Sequence, residues 1–352
     1  GLSTPEFDAM PAPVYDWPVD RLAEARRSVT TLITGGAGFI GSRLALRLLA
    51  QGERVIIYDN LDPYYDPAVK RAALAAISQA AENAGRPADA VIIEGDVRDV
   101  AGVEAVFAAG PVQRVAHLAA MSGVRYSAER AVLYSEVNAT GSAVVLEAAR
   151  NHGVEVVALA STSNIYGDDA PTPFREDDPA VTPLAPYPAS KRAAELMAHS
   201  LYHLHGLNVT ALRFFNVYGP GGRPDMMPMR AIEYILAGTP VPVYEGGGLQ
   251  RDWTYIDDIV AGVMAALQRP LGFRIINLGS GAPISLTAFL DLYEQIIGKP
   301  ALRVPTPTPL TELPITYADN TLARELLGFA PTVQLEEGLR RTWAWYQANV
   351  RG

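Results

Sequence analysis

The chain has 352 residues, enough for two domains or one large one, and its 49% hydrophobic and 19% charged content describes a folded globular protein. Twenty-nine Lys and Arg against 38 Asp and Glu leave a net charge of −9, so no overall basic field exists to hold nucleic acid or an anionic membrane, and an anionic ligand needs locally placed arginines. The absence of cysteine excludes disulfides, thiolate metal sites and a cysteine nucleophile.

Residues 1–27 carry several prolines and no sustained period, which predicts an irregular N-terminal arm. From Ser28 onward, short β-branched runs alternate with alanine- and leucine-rich helical stretches. Val29–Thr34, Val55–Tyr58, Val91–Glu94, Arg114–Leu118, Val154–Ala160 and Val209–Arg213 read as strands. That alternation predicts an α/β fold, a doubly wound parallel sheet with helices on both faces, whose ligands bind beyond the carboxyl ends of the strands. After Arg213 the texture becomes loop-rich, with Pro220, Gly221, Gly222 and Pro224 in close succession. Helical periods return at Ile256–Leu267, Leu286–Ile297 and Leu335–Tyr346, and the alternating Thr-Pro run at 305–309 reads as a stiff surface connection. The expected division is a domain over 28–217 and a smaller mixed region over 218–352, partly interleaved with it.

The first strand runs into Gly35-Gly36-Ala37-Gly38-Phe39-Ile40-Gly41 and then directly into a helical stretch. Bare backbone at Gly35 and Gly38 lets a pyrophosphate approach a helix N-terminus, and Gly41 lets helix and strand pack closely. Asp59 ends the second strand 18 positions after Gly41, where a carboxylate can bind ribose hydroxyls. It also repels a 2′-phosphate, which favours NAD over NADP.

Tyr187 and Lys191 stand at i and i+4, on one face of a helix. They follow Ala160-Ser161-Thr162-Ser163-Asn164, a polar cluster at a strand end. A tyrosine with an ordinary pKa of ~10 works as a base near neutrality only where cations favour its phenolate. Lys191 and an oxidised nicotinamide supply that charge, and a Thr162 hydroxyl can share the proton.

Taken with Gly95-Asp96-Val97, His117-Leu118-Ala119-Ala120 and Arg213-Phe214-Phe215-Asn216-Val217-Tyr218-Gly219-Pro220, these motifs resemble the extended short-chain dehydrogenase/reductase superfamily, in its nucleotide-sugar epimerase branch. The resemblance spans about Ser28 to Gln347 and implies a Rossmann-type NAD-binding domain over 28–217 and substrate binding over 218–352. It implies Thr162, Tyr187 and Lys191 as the catalytic triad. It implies NAD contacts at Gly35, Gly38, Phe39, Ile40, Gly41, Asp59, Asn60, Asp96, Val97, Leu118, Ala119, Ala120, Tyr187 and Lys191. UDP-sugar contacts are implied at Arg125, Thr162, Ser163, Asn164, Asn216, Arg223, Val243, Arg251 and Asp319, with Arg223 and Arg251 as planar forks for the diphosphate. The position of His117 is structural in this branch, and the other four histidines show no metal-ligand spacing, so no metal is expected.

Ser163 and Asn164 stand where dehydratases of the branch carry an acidic pair, so no side chain is available for a further proton transfer and plain epimerisation follows. Four segments resemble UDP-glucuronate 4-epimerases most closely: Tyr58–Asp66 with Lys70-Arg71, Gly123–Ser127, Gly222–Met226 and Arg251–Asp258. Asn216 departs from the threonine usual there, though an asparagine amide also donates to a carboxylate. The expected activity is reversible 4-epimerisation of UDP-glucuronate to UDP-galacturonate through a 4-keto intermediate. A UDP-glucose/UDP-galactose 4-epimerase is the alternative, and a non-catalytic NAD-binding sensor a more distant one. A homodimer through helices near 128–151 and 187–205 is expected. With no apolar stretch of ~18 residues and no signal-like start, so is a cytoplasmic location without a membrane anchor.

Overall fold

In a computed structural model that describes residues 29–350, seven parallel strands form the central sheet. In chain order these are β1 (Thr30–Thr34), β2 (Arg54–Asp59), β3 (Ala90–Glu94), β4 (Arg114–His117), β5 (Val156–Thr162), β6 (Val209–Phe214) and, after three strands that lie elsewhere, β10 (Phe273–Leu278). Their spatial order is β10-β6-β5-β4-β1-β2-β3. The chain winds outward from β1 to β3, returns to β4 on the other side of β1, and winds the opposite way. The crevice beyond β1 and β4 is therefore the topological switch point, where such sheets hold ligands.

One face of the sheet is covered by α1 (Phe39–Ala50), α2 (Pro67–Asn83) and later α7 (Ile256–Leu267), through Leu44, Leu48, Ile77, Ile259 and Val263. The other is covered by α3 (Val100–Ala108), α4 (Gly141–Asn151) and α5 (Pro186–His205), through Val103, Phe107, Val145, Leu146, Ala194 and Ala198. Buried on both sides, the strands carry near-continuous β-branched and aliphatic runs, as parallel strands must. Each fully buried Leu, Ile or Val contributes roughly 1.5–3 kcal/mol relative to exposure.

The remaining elements form the smaller region: β7 (Asn216–Tyr218), α6 (Met227–Ala237), β8 (Val241–Tyr244), β9 (Gln250–Tyr255), β11 (Pro283–Ser285), α8 (Leu286–Ile297), β12 (Arg303–Thr306) and α9 (Leu335–Asn349). β11, β9 and β7 make a three-stranded sheet, and β12 pairs with β8 in parallel. Because β10 and α7 return to the main sheet, this region is threaded through the first by sequence and lies over its strand ends.

Two local expectations change. The Thr-Pro run is not wholly a connection, since Pro305 and Thr306 lie in β12, opposite Val243 and Tyr244. A two-stranded ribbon tolerates proline because its missing N–H can face away from the partner. β5 begins at Val156, because the Val154 N–H turns back to the Ala149 carbonyl and closes the end of α4. The arm expected over 1–27 lies outside the described residues.

A fully buried ion pair ties α5 to the sheet. Glu195 accepts Arg213 through both guanidinium arms, at 3.0 and 2.9 Å, and also accepts the Ser161 hydroxyl at 2.6 Å and Arg192 at 2.9 Å. Removing one partner of such a pair leaves an uncompensated charge in the interior. Glu195→Ala should therefore lower unfolding free energy by about 3–5 kcal/mol, read as a shift of the urea midpoint at unchanged slope. A loss under about 1 kcal/mol would show that the pair behaves like a surface contact.

Candidate active site

The glycine turn between β1 and α1 fixes the floor of the crevice. Gly35 has φ +70°, and a Cβ there would lie 2.6 Å from the Ala119 nitrogen, so only glycine lets the turn pass under the loop after β4. A Cβ on Gly41 would meet the Gly35 carbonyl oxygen at 2.3 Å, which explains the third glycine as helix-to-turn packing. Asp59, at the end of β2, accepts the Ala37 N–H at 3.0 Å and the Leu61 N–H at 2.9 Å. It thereby closes the turn, and its two oxygens keep lone pairs free toward the crevice.

From this floor one cavity of about 610 Å³ runs across the strand ends to the smaller region. Its wall brings together Gly35, Gly38, Phe39, Ile40, Gly41, Asp59, Asn60, Val97, Leu118, Ala119, Ala120, Arg125, Thr162, Ser163, Asn164, Tyr187, Lys191, Asn216, Arg223 and Arg251. Three residues expected at the site lie off this wall. Asp96 turns to the Arg98 guanidinium and the Asn60 amide. Val243 packs into the core, because strand alternation gives the cavity its neighbours Pro242 and Tyr244 instead. Asp319 bonds Arg175 and the Thr321 N–H, since the backbone after Thr316 is pulled away to Phe174.

Lys191 is buried and Tyr187 half-buried on the face of α5 that meets β5. Burial raises the Tyr187 phenol above its ordinary value, while a hydrogen bond with Thr162 and the charge of Arg223 pull it down. Burial pushes the Lys191 ammonium down to about 8, opposed by Glu195 one turn further along. Among the described residues Lys191 Nζ has no hydrogen-bond partner, although it faces the cavity beside the loop after β4. A buried cation with its donors unspent, a glycine floor at a helix N-terminus and a carboxylate at the end of β2 form a coherent cradle for a dinucleotide.

His117 ends β4 within this shell, yet its hydrogen bonds exclude it as a base. The Ser142 hydroxyl donates to the Asn138 carbonyl at 2.5 Å, so its oxygen is left to accept from His117 Nε2 at 2.9 Å. On the other side Thr34 lies 2.7 Å from Nδ1. The ring is thus neutral with Nε2 protonated. Burial first, and Lys191 second, push its pKa down to about 3.

Sequence reasoning missed Asn138, which braces the wall from behind, and Glu312 and Thr316, which line it. Asn138 sits in a π-helical segment, Ser135–Thr140, and clasps the Met121 backbone at 2.8 and 2.9 Å while donating to Ser190 at 3.0 Å. It locks the loop after β4 to the helix of Tyr187. Arg223 lies against Ser122, Asp225 and the Tyr64 ring, on the side of the cavity where its charge reaches Tyr187. Arg251 and Arg125 instead meet across Glu312, at 2.7 and 2.8 Å. Arg223 and Arg251, both expected at the diphosphate, line the same cavity with different carboxylate partners. Glu312 and Thr316 come from a loop that carries no motif in the sequence.

A family model described as the NAD dependent epimerase/dehydratase family matches residues 31–279. The chain belongs to that family. It is 40% identical over 320 residues to a UDP-glucuronate 4-epimerase of Thermodesulfobacterium geofontis, covering 91% of this chain and 96% of that one. It is 37% identical to a probable UDP-glucuronate 4-epimerase of Rhizobium meliloti, over 91% of this chain and 97% of that one. The fold superposes on a UDP-glucuronic acid 4-epimerase from Bacillus cereus, solved with UDP-glucuronic acid and NAD, with a TM-score of 0.82 and 29% identity. That match covers 91% of this chain and 99% of the other. A UDP-glucose 4-epimerase from Thermus thermophilus, solved with NAD, gives a TM-score of 0.79 at 32% identity, covering 91% and all of the two chains.

The His117 assignment has a measurable consequence. An unfolded histidine titrates near ~6.5, whereas this one stays neutral down to about 3. Between those values the folded chain binds fewer protons than the unfolded chain, so stability falls as pH drops through that window. Between pH 7.5 and 5 the wild type should lose roughly 2 kcal/mol more than His117→Gln, measured from paired urea titrations. Parallel losses in the two proteins would mean that His117 is protonated in the fold.

Proposed function

We propose that this family member interconverts UDP-glucuronate and UDP-galacturonate at C4, with NAD held along the glycine turn, Asp59 and Lys191. The observation that carries the reading is the set of Thr162, Tyr187 and Lys191 on the wall of a cavity that offers cations at separate places. Arg223 lies within electrostatic reach of Tyr187, and Arg125 with Arg251 lies apart from it. A nucleoside diphosphate uronate carries anions at two places, on the diphosphate and on the sugar. The named relatives and the solved Bacillus cereus complex support the same substrate.

Tyr187 takes the proton of the C4 hydroxyl, and Thr162 holds that hydroxyl in line through its own bond to Tyr187. The hydrogen bond with Thr162 and the charge of Arg223 favour the phenolate, against the burial that otherwise raises its pKa. NAD, held by the glycine turn, Asp59 and Lys191, would supply the redox chemistry at C4 as acceptor and donor of a hydride. The 4-keto sugar so formed has its carboxylate β to a ketone, an arrangement that loses carbon dioxide when the carboxylate bond stands perpendicular to the carbonyl plane. Ser163, Asn164, Asn216 and Arg223 line the same cavity and hold that group out of the reactive angle by donating to it.

The native assembly is proposed to be a homodimer, since α5 exposes Leu196, Met197 and Leu204, an apolar stripe that the described residues leave uncovered. Sedimentation should give a dimer at micromolar concentration, and a Leu196→Glu, Leu204→Glu variant should run as a monomer. A monomeric wild type would remove this assignment.

Purified protein given UDP-glucuronate should form its C4 epimer, and should act far more slowly on UDP-glucose. Tyr187→Phe should retain NAD and substrate binding while kcat falls by ~10²–10⁴. Turnover of UDP-glucose alone would replace the substrate, and an active Tyr187→Phe would remove the mechanism.

A further inference from the structure

Asn216 carries an amide with one accepting and one donating end, and a substrate meets whichever end is turned outward. We propose that Thr316 is a positioning residue that turns the accepting end inward, so that Asn216 presents its two N–H donors to the sugar carboxylate. The inference rests on the glucuronate reading given above.

The direction is set by a backbone group of fixed polarity. The Asp252 N–H, which can only donate, donates to the Thr316 hydroxyl oxygen at 3.1 Å. Thr316 is 2% exposed, so its single proton has no water to take, and the Asn216 Oδ1 stands 3.1 Å away to accept it. With Oδ1 engaged, Nδ2 is left without a partner among the described residues on a side chain that lines the cavity. Reversing the amide would exchange this bond for one donated by Nδ2 to the second lone pair of Thr316 Oγ1 and would strand the buried hydroxyl proton, which is costly.

The relay is held in place from both sides. Residues 314–318 are stitched along β9: the Gln250 N–H donates to the Pro314 carbonyl at 2.9 Å and the Thr316 N–H to the Gln250 carbonyl at 3.1 Å. The Ala318 N–H then donates to the Asp252 carboxylate at 3.1 Å. That carboxylate, fully buried, also accepts the Ser280 and Gly281 N–H groups at 2.6 and 2.9 Å. Asn216 opens β7, which pairs with β9 at Trp253, and it follows Phe214, the sheet neighbour of Thr162. The amide is thereby carried on the strand end adjoining the reacting groups.

Its chemistry discriminates. A carboxylate only accepts and needs donors, whereas the hydroxymethyl of a neutral hexose both donates and accepts, and is served by either end of the amide. Loss of the relay must therefore weaken the uronate selectively.

The test compares binding of UDP-glucuronate, UDP-glucose and UDP to the NAD-loaded protein by calorimetry, in wild type, Thr316→Val, Thr316→Ala and Thr316→Ser, alongside wild-type turnover. Thr316→Val and Thr316→Ala should each weaken UDP-glucuronate by ~10–100-fold. UDP and UDP-glucose should change less than about twofold, and Thr316→Ser should restore the wild-type pattern. Equal weakening of all three ligands would reduce Thr316 to a structural role and overturn the proposal, as would unchanged UDP-glucuronate binding in both hydroxyl-free variants. A wild type that binds the three ligands but does not epimerise UDP-glucuronate would overturn the substrate reading itself. A wild type that does epimerise it, with insensitive Thr316 variants, would overturn the relay alone.

Discussion

The Glu195 carboxylate is the point on which the geometry of the site turns. It sits in the interior with no access to water, so it must be met by charge-assisted donors, and these come from three directions: Ser161 at the end of β5, Arg213 on β6 and Arg192 on its own helix. A helix advances about 1.5 Å and turns about 100° per residue, so no slide or rotation of α5 can keep all three. With Glu195 fixed, Lys191 one turn earlier and Tyr187 two turns earlier are fixed too, and both face the strand ends. The same carboxylate is the anion that opposes the loss of the Lys191 charge on burial.

A second device recurs around this frame. Side chains that could point either way are oriented by backbone groups that cannot. The Asn138 carbonyl takes the Ser142 proton and so decides which nitrogen of His117 is protonated. The Asp252 N–H decides which way the Thr316 proton points, and through it which end of the Asn216 amide is turned inward. Asn138 clasps both the N–H and the carbonyl of Met121, and its own amide is thereby fixed. Such orientation is set at folding and requires no reorganisation when a ligand arrives, which is the condition for electrostatic preorganisation.

The parts legible in the sequence are those whose physics is local. The glycine turn, Asp59 at a strand end and the i, i+4 pairing of Tyr187 with Lys191 each depend on a few neighbouring residues, and the alternation of strand and helix follows from periodicity. Illegible were the contacts that depend on distant pairing. Glu312 meets Arg125 across 187 positions and Thr316 meets Asn216 across 100, because residues 314–318 are laid against β9 by backbone bonds that no composition announces. Val243 was assigned to the wall and lies in the core, since the assignment ignored the two-residue alternation that gives the cavity Pro242 and Tyr244. Arg223 and Arg251 read alike in the sequence as planar forks, whereas their different carboxylate partners, Asp225 and Glu312, come from the fold. The π-helical segment that presents Asn138 inserts an extra residue into a helix whose sequence reads as regular.

The charge arithmetic of the cavity shows how a protein of net charge −9 can hold a polyanion. Three of its arginines are already occupied by carboxylates: Arg223 by Asp225, and Arg251 with Arg125 by Glu312. These pairs hold each guanidinium in a set orientation, which lowers the ordering entropy lost when an anion binds. Around Glu312 two cations face one anion, a surplus of one positive charge whose reach salt limits to ~10 Å. Attraction is therefore local and short-ranged, against an overall negative charge. Glu312 has a further effect. On the proposed substrate reading it would share its arginines with an incoming diphosphate, so a lone phosphate would gain little by displacing it, while a ligand that also reaches Arg223 and Asn216 would recover the difference at the far end. Discrimination for the whole nucleotide sugar over its fragments follows from that competition.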